Sequence, residues 1–244
     1  MLVAKGRKIN KAHPLAQGLI AYWRMDEGCG TVVNDYSENN KKGTLVNFDL
    51  SGNASNWCGS NTGSGVMFDG VNDYIEIPSN VAFDGTTGTW MGWVRSSMTI
   101  VTGAAIMGRV SPAGSSGGIN VFYYGATQLR AEIKTVAGTS VLDVYPSGAI
   151  ANAWNHWAIT FNGTNLFSFY INGRLRATGT PSATWSFNSQ VIRFGTSVGT
   201  YWDKLLGAQT EVRVYNRILT QTEIRNLYTD PHADMLGMKY RKNM

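Results

Sequence analysis

The stretch MFDGVNDYIEIP, Met67 to Pro78, places Asp69, Asn72, Asp73 and Glu76 within eight positions. Oxygen donors at that density could hold a calcium ion. They could also supply the two carboxylates that flank a scissile glycosidic bond, or satisfy the amides of a polar turn. On a strand, residues two or four apart share a face, so a cleft-lining acid pair should recur at that interval. Asp69 and Asp73 are four apart, but Gly70 and Asn72 between them signal a turn. None of Glu27, Glu38, Glu76, Glu132, Glu211 and Glu223 has an acid two or four residues downstream. Local pattern therefore argues against sugar hydrolysis.

Other catalytic constellations are absent as well. His13, His156 and His232 lie far apart with no metal-binding spacing, and His156 reads as a hydrogen-bonded residue at a strand end. No nucleophile elbow, P-loop or dinucleotide fingerprint occurs. Cys29 and Cys58 form no CxxC pair, which excludes a zinc site or disulfide framework and leaves a single bridge between them open. No residue is assigned a catalytic role. Among the aromatics, Trp185, Tyr201 and Trp202 sit in the turn-like contexts SATWSFN and SVGTYWDK, where rings stack on sugars, anchor interfaces or pack inward. They are the candidate glycan-binding residues.

The net charge of +5 belongs to the ends. Residues 1–18 carry Lys5, Arg7, Lys8 and Lys11 with no acid; residues 228–244 carry Lys239, Arg241 and Lys242 against Asp230 and Asp234. The body between them is neutral overall, which disfavours a nucleic-acid groove and leaves two readings of the ends, segments that dock on an acidic partner surface or solvated, disordered arms. No apolar run has the form of a signal peptide or approaches the roughly 20 residues that span a bilayer, so no membrane association is expected and folding is expected in cytosol.

The elements that must position these residues are strands. LIAYWRM (19–25), TWMGWVR (89–95), INVFYY (119–124), LRAEIKTV (129–136), HWAITF (156–161) and LFSFYI (166–171) are rich in β-branched and aromatic residues, the composition of half-buried strands. In LRAEIKTV, Leu129, Ala131 and Ile133 share one face, expected buried, while Arg130, Glu132 and Lys134 share the other, expected mostly wet. Asn162-Gly163 and Asn172-Gly173 suit tight hairpins, which predicts a three-stranded meander over 156–177. The single convincing helix is LTQTEIRNLY, with Thr220 as cap and Glu223 completing a capping box. Many short antiparallel strands closed by one helix indicate an all-β sandwich of jelly-roll type. The expected organisation is a basic N-terminal arm at 1–17, one domain at 18–228 and a tail at 229–244.

In order, GLIAYWRMDEGCGTVVNDYS, GVMFDGVNDYIEIP, WNHWAITFNGTNLFSFYINGRL and TEVRVYNRILTQTEIRNLY resemble the laminin-G-like domains of the concanavalin A-like lectin and glucanase superfamily. The resemblance spans 18–228 and implies a jelly-roll sandwich of two antiparallel sheets. Its glucanase relatives carry a Glu-x-Asp-x-x-Glu strand motif that is missing from this chain. Some relatives bind calcium through an acidic pair ahead of the last strand's VRIYNR; the matching pair is Thr210-Glu211, which lacks the first carboxylate, so no cofactor is expected and a calcium site would have to lean on Glu211, backbone carbonyls and Glu27. The opening HPLAQGLIAYW and the ending LYTDPHADM resemble those of laminin-G-like proteins of tailed bacteriophages. That likeness implies a virion location and non-catalytic structural or surface role, with capsid or tail proteins as partners and host-surface glycans as the alternative ligand. It leaves a homo-oligomer open.

Overall fold

The computed structural model describes residues 8–51, 56–96, 103–109, 118–135, 137–163, 165–187, 190–196 and 204–236. Along the chain run β1 (Leu19–Trp23), β2 (Val32–Val33), β3 (Gly43–Val46), β4 (Asn56–Ser60), β5 (Gly63–Asp69), β6 (Tyr74–Ile77), β7 (Thr87–Ser96) and β8 (Ala104–Gly108). They are followed by β9 (Gly118–Tyr123), β10 (Leu129–Lys134), β11 (Ser140–Val144), β12 (Asn155–Asn162), β13 (Leu166–Ile171), β14 (Arg174–Gly179), β15 (Ile192–Phe194), β16 (Leu206–Tyr215) and helix α1 (Gln221–Thr229). The first sheet has the order β14-β13-β12-β7-β16-β5-β4, with β1 also on β16; the second has the order β11-β10-β9-β8-β15-β6-β3-β2. All of these pairings are antiparallel. This is the expected jelly-roll sandwich.

The period-two pattern sets the core. Leu129, Ala131 and Ile133 from β10 meet Trp157, Ile159 and Phe161 from β12 in one apolar layer between the sheets. Its centre is aromatic: Trp23 packs edge-on against Phe194 at 5.5 Å, and Trp90 stacks with Phe187 at 6.0 Å. Burial of such rings supplies the dominant stabilisation of a sandwich. The predicted meander is β12-β13-β14, and the Asn172-Gly173 turn has φ of 51° and 72°, as a tight hairpin requires.

The acidic cluster at 69–76 is a turn between β5 and β6. Asp69 Oδ1 accepts from the amides of Val71 at 2.8 Å and Asn72 at 3.3 Å, and buried Asp73 accepts from the Asp69 amide at 2.9 Å. Helix α1 has the full capping box, in which Thr220 Oγ1 accepts from the Glu223 amide and Glu223 accepts from the Thr220 amide. Its apolar face, Ile224 and Leu227, packs with Leu15, Met91, Ala158 and Tyr215 on the outer side of the first sheet.

The ends are bound more tightly than their charge suggested. Ile9 pairs with Met235 in an isolated bridge, and the Leu236 amide donates to Lys8 O at 3.1 Å. Ile9, Leu15, His232, Asp234 and Met235 are all buried, so residues 8–17 and 230–236 belong to the body rather than to free arms. The driving contact is ionic: Arg213 Nη1 donates to Asp234 at 2.6 Å and Arg213 Nη2 to Pro231 O at 2.5 Å, with its guanidinium 3.7 Å over the Tyr22 ring. Burial opposes that charge, but Asp234, Tyr22 and Tyr215 outweigh it and hold Arg213 well above its ordinary pKa. Removing one member of such a pair strands the other charge in low dielectric. Asp234→Ala should lower the unfolding free energy by about 3–5 kcal/mol, read as a shift in the urea midpoint; a change within error would show that 230–236 is not welded to the sheet.

Candidate functional site

Strand β16 changes partner midway. Its first half pairs with β5 and its second half with β1, while β7 runs along the other edge with a register shift between Thr210 and Arg213. Glu211 sits at that bulge with a left-handed φ of 56° and is 4% exposed. The Tyr22 hydroxyl bonds Glu211 Oε2, His232 Nε2 lies 2.9 Å from Oε1, and Arg24 Nε is 3.9 Å away. Burial, aided by Glu211, raises the Tyr22 pKa well above normal, so its hydroxyl remains a donor. The carboxylate on which a calcium site would lean is thus surrounded by donors and a cation. Glu27 accepts through Oε1 from the Asn34 amide at 2.7 Å and the Asn34 side chain at 3.2 Å, while its buried Oε2 has no hydrogen-bond partner. These residues do not fit a calcium ion, and among the described residues no group of three or more His, Cys, Asp or Glu is placed to hold a metal.

Trp185 does not offer a ring to ligand. It is 3% exposed, wedged edge-on between Phe161 at 5.5 Å and Phe187 at 4.9 Å, and donates from Nε1 to Gly163 O at 3.1 Å. The coil around it packs inward, which corrects its assignment as a stacking platform. Tyr201 and Trp202 lie outside the described residues, as do Lys5, Arg7, Lys239, Arg241 and Lys242. Lys11 pairs with Glu38 at 2.9 Å and Lys8 with the same carboxylate at 3.8 Å, both on the surface. Cys29 and Cys58 are free thiols, not a bridge.

The open aromatic surface is elsewhere, on the outer face of the second sheet where β9, β10 and β11 end. Tyr124 and Tyr145 are each 41% exposed and meet edge to face at 5.0 Å. The Tyr145 hydroxyl donates to Asp143 Oδ2 at 2.9 Å, and burial with this bond raises its pKa. Arg130 fixes Asp143 with two bonds, Nε at 2.8 Å and Nη2 at 2.7 Å, while its guanidinium lies 5.3 Å from the Tyr145 ring centre. A two-pronged arginine–carboxylate contact sets direction as well as distance, so the rings stand on a fixed base.

Glu132 faces Asp143 across the strands, an acid pair invisible to a survey along one strand. Arg130 Nη2 is 3.5 Å from Glu132 and Lys134 Nζ 3.4 Å from it. Both members are therefore charge-paired, Asp143 with Arg130 and Glu132 with Arg130 and Lys134. Arg130 and Glu132, expected mostly wet, are 9% and 4% exposed because they bind each other and their neighbours. The polar half of the LRAEIK alternation was the available signal for this site; its partners Tyr124, Asp143 and Tyr145 come from other strands and carried none.

The sequence profile described as the concanavalin A-like lectin/glucanases superfamily, laminin-G type, matches residues 68–225. No curated protein matches the chain. Among solved structures, the binding domain of Paraclostridial mosquitocidal protein 1 superposes with a TM-score of 0.71 at 15% identity, covering 90% of this chain and 53% of that one. The binding domain of botulinum neurotoxin DC in complex with SialylT gives 0.67 at 16% identity, covering 88% and 52%. Domain 4 of AbnA, an extracellular GH43 arabinanase from Geobacillus stearothermophilus, in complex with arabinotriose, gives 0.64 at 18% identity, covering 86% and 98%. The chain thus spans about half the length of the toxin binding domains and nearly all of the arabinanase domain. At these identities the likeness is one of fold.

His156 is a packed residue rather than a catalytic one. It is 2% exposed, with its ring 5.4 Å from Trp93 and 5.9 Å from Tyr228. Burial, with Arg213 adding to it, pushes its pKa down to about 3. The unfolded chain takes up this proton near pH 6.5 and the folded chain does not until about pH 3. Its contribution is complete above pH 6.5 and declines as pH falls, by about 1.4 kcal/mol per unit. Between pH 6.5 and 5 the urea midpoint should drop, and His156→Phe should flatten that slope; parallel slopes for the two proteins would contradict the assignment.

Proposed function

This chain belongs to the concanavalin A-like lectin/glucanases superfamily, and from that premise we propose that it is a non-catalytic, lectin-like module that binds saccharide and is displayed on a tailed-phage virion. The observation that carries the binding reading is the Tyr124–Tyr145 pair, half exposed and held by the Arg130–Asp143 clamp. Aromatic rings cover the apolar faces of a sugar, while the exposed parts of Asp143 and Lys134 can meet its hydroxyls. Because the rings are fixed before ligand arrives, little side-chain freedom is lost on binding. The same fold carries an arabinotriose in the arabinanase domain, which supports the reading by analogy. On a glycan array of bacterial surface saccharides, Tyr145→Ala should weaken binding about tenfold, equivalent to about 1.4 kcal/mol, without lowering the melting temperature; silence of the native protein on every sugar would remove the binding reading.

The virion part of the proposal rests on the phage-like opening HPLAQGLIAYW and ending LYTDPHADM, with capsid or tail proteins as partners. Since Lys8 and Leu236 are joined by a backbone bond, the basic residues beyond them, Lys5 and Arg7 on one side and Lys239, Arg241 and Lys242 on the other, depart from adjacent points. Lys8 and Lys11 are engaged by Glu38, so docking falls to residues 1–7 and 237–244, where acidic partner surface would be recognised. Deleting residues 1–7, and no further, should reduce incorporation into particles severalfold while leaving the melting temperature unchanged; native occupancy would refute terminal docking.

A further inference from the structure

A second site lies where α1 faces the β13–β14 hairpin. A cavity of about 690 Å³ opens there, lined by the Gly148–Ile150 segment, the Asn172–Arg176 hairpin and Gln221, Arg225, Tyr228 and Thr229 of α1. That volume is typical of sites for small organic ligands. Arg174, Arg176 and Arg225 project into its lining, and no carboxylate does. None of the three enters an ion pair among the described residues. Three uncompensated guanidiniums around one concavity make a field that favours an anion.

The cavity is built rather than incidental. On β14, Ala177 pairs with Phe169 and Leu175 with Tyr170, so Arg176 is the extra residue of a bulge, a device that re-aims a side chain. Its guanidinium lies against Gly148, where a Cβ would come within 2.9 Å of Arg176 Cζ and where φ is +119°. The walls are pinned from beneath by one buried amide. Asn155 donates to Ile150 O at 2.8 Å and to Ala153 O at 3.0 Å, and accepts from the Ile150 amide at 2.8 Å and from Asn172 Nδ2 at 3.2 Å. The helix wall is fixed by Tyr228, which stacks on Trp93 at 5.4 Å and fills the space over Gly173.

We propose that this cleft binds an acidic saccharide, with Arg174, Arg176 and Arg225 gripping its carboxylate, sulfate or phosphate group. Guanidinium forks match the planar or tetrahedral oxygens of such groups. Concavity favours a small acidic sugar over an acidic protein face, which would seek a flatter surface. The cleft shares no side chain with the Tyr124–Tyr145 platform, so it stands or falls independently of the saccharide reading given above.

Titration calorimetry at low and moderate salt, with the full chain, tests the assignment. The probes are a galacturonate trisaccharide, a heparin-derived tetrasaccharide, a neutral galactose trisaccharide and an oligoglutamate peptide. Binding of either acidic sugar, weakened by salt and reduced at least tenfold in the Arg176→Gln, Arg225→Gln double variant but kept in Tyr145→Ala, is the expected result. Binding of the galacturonate trisaccharide shows that carboxylates suffice, and binding of the heparin tetrasaccharide without it assigns the sulfates. Equal binding of the neutral sugar, equal binding by the double variant, preference for the peptide, or no binding of either acidic sugar would each overturn it. Both arginines are exposed, and an unchanged melting temperature of the double variant separates loss of a site from loss of fold.

Discussion

A buried carboxylate at the bulge of β16 governs the way this sandwich closes. Glu211 lies where β16 exchanges β5 for β1, with backbone in a region that side chains rarely adopt. A carboxylate taken out of water costs several kcal/mol unless hydrogen bonds and opposite charge return it, so the position dictates its surroundings. The Tyr22 hydroxyl arrives from β1, His232 from the segment after α1, and Arg24 from just beyond β1. Arg213, two residues on, draws in Asp234 by the same logic. Both ends of the chain are thereby committed to one sheet, and the polar cluster specifies their register in a way that apolar contact alone would leave degenerate.

Features whose cause is local were legible in the sequence. The Thr220–Glu223 capping box, the Asn172-Gly173 hairpin and the alternation of Leu129, Ala131 and Ile133 each need only neighbours along the chain, and each is present. The Asp69–Asp73 turn belongs to the same class. What could not be read was juxtaposition across strands. Arg130 and Asp143 are 13 residues apart and meet because β10 and β11 pair in one register, and Tyr145 then lands beside Tyr124. Trp185 misled for a related reason: Ser, Ala and Thr around it describe coil, but coil that caps the open end of an aromatic core packs inward. The basic arms misled because charge counting ignores Ile9 and Met235, the apolar residues that bring the ends home.

The two sheets differ in what lies on their outer faces. On the first, the outer face is covered by α1, Leu15 and the segments that lead to both termini. On the second, the outer face carries the tyrosine pair and its arginine–carboxylate base.

The segment from Tyr145 to Ile150 connects these regions. It begins at the tyrosine platform and ends in the wall of the arginine-lined cleft, with Gly148 pressed against Arg176 and Ile150 tied at both its amide and its carbonyl to Asn155. Three residues of extended chain cover about 10 Å, so platform and cleft are neighbours around one edge of the sandwich. Asn155 is fully buried with its amide satisfied, and a satisfied buried hub resists the rotamer exchange that would let either wall drift.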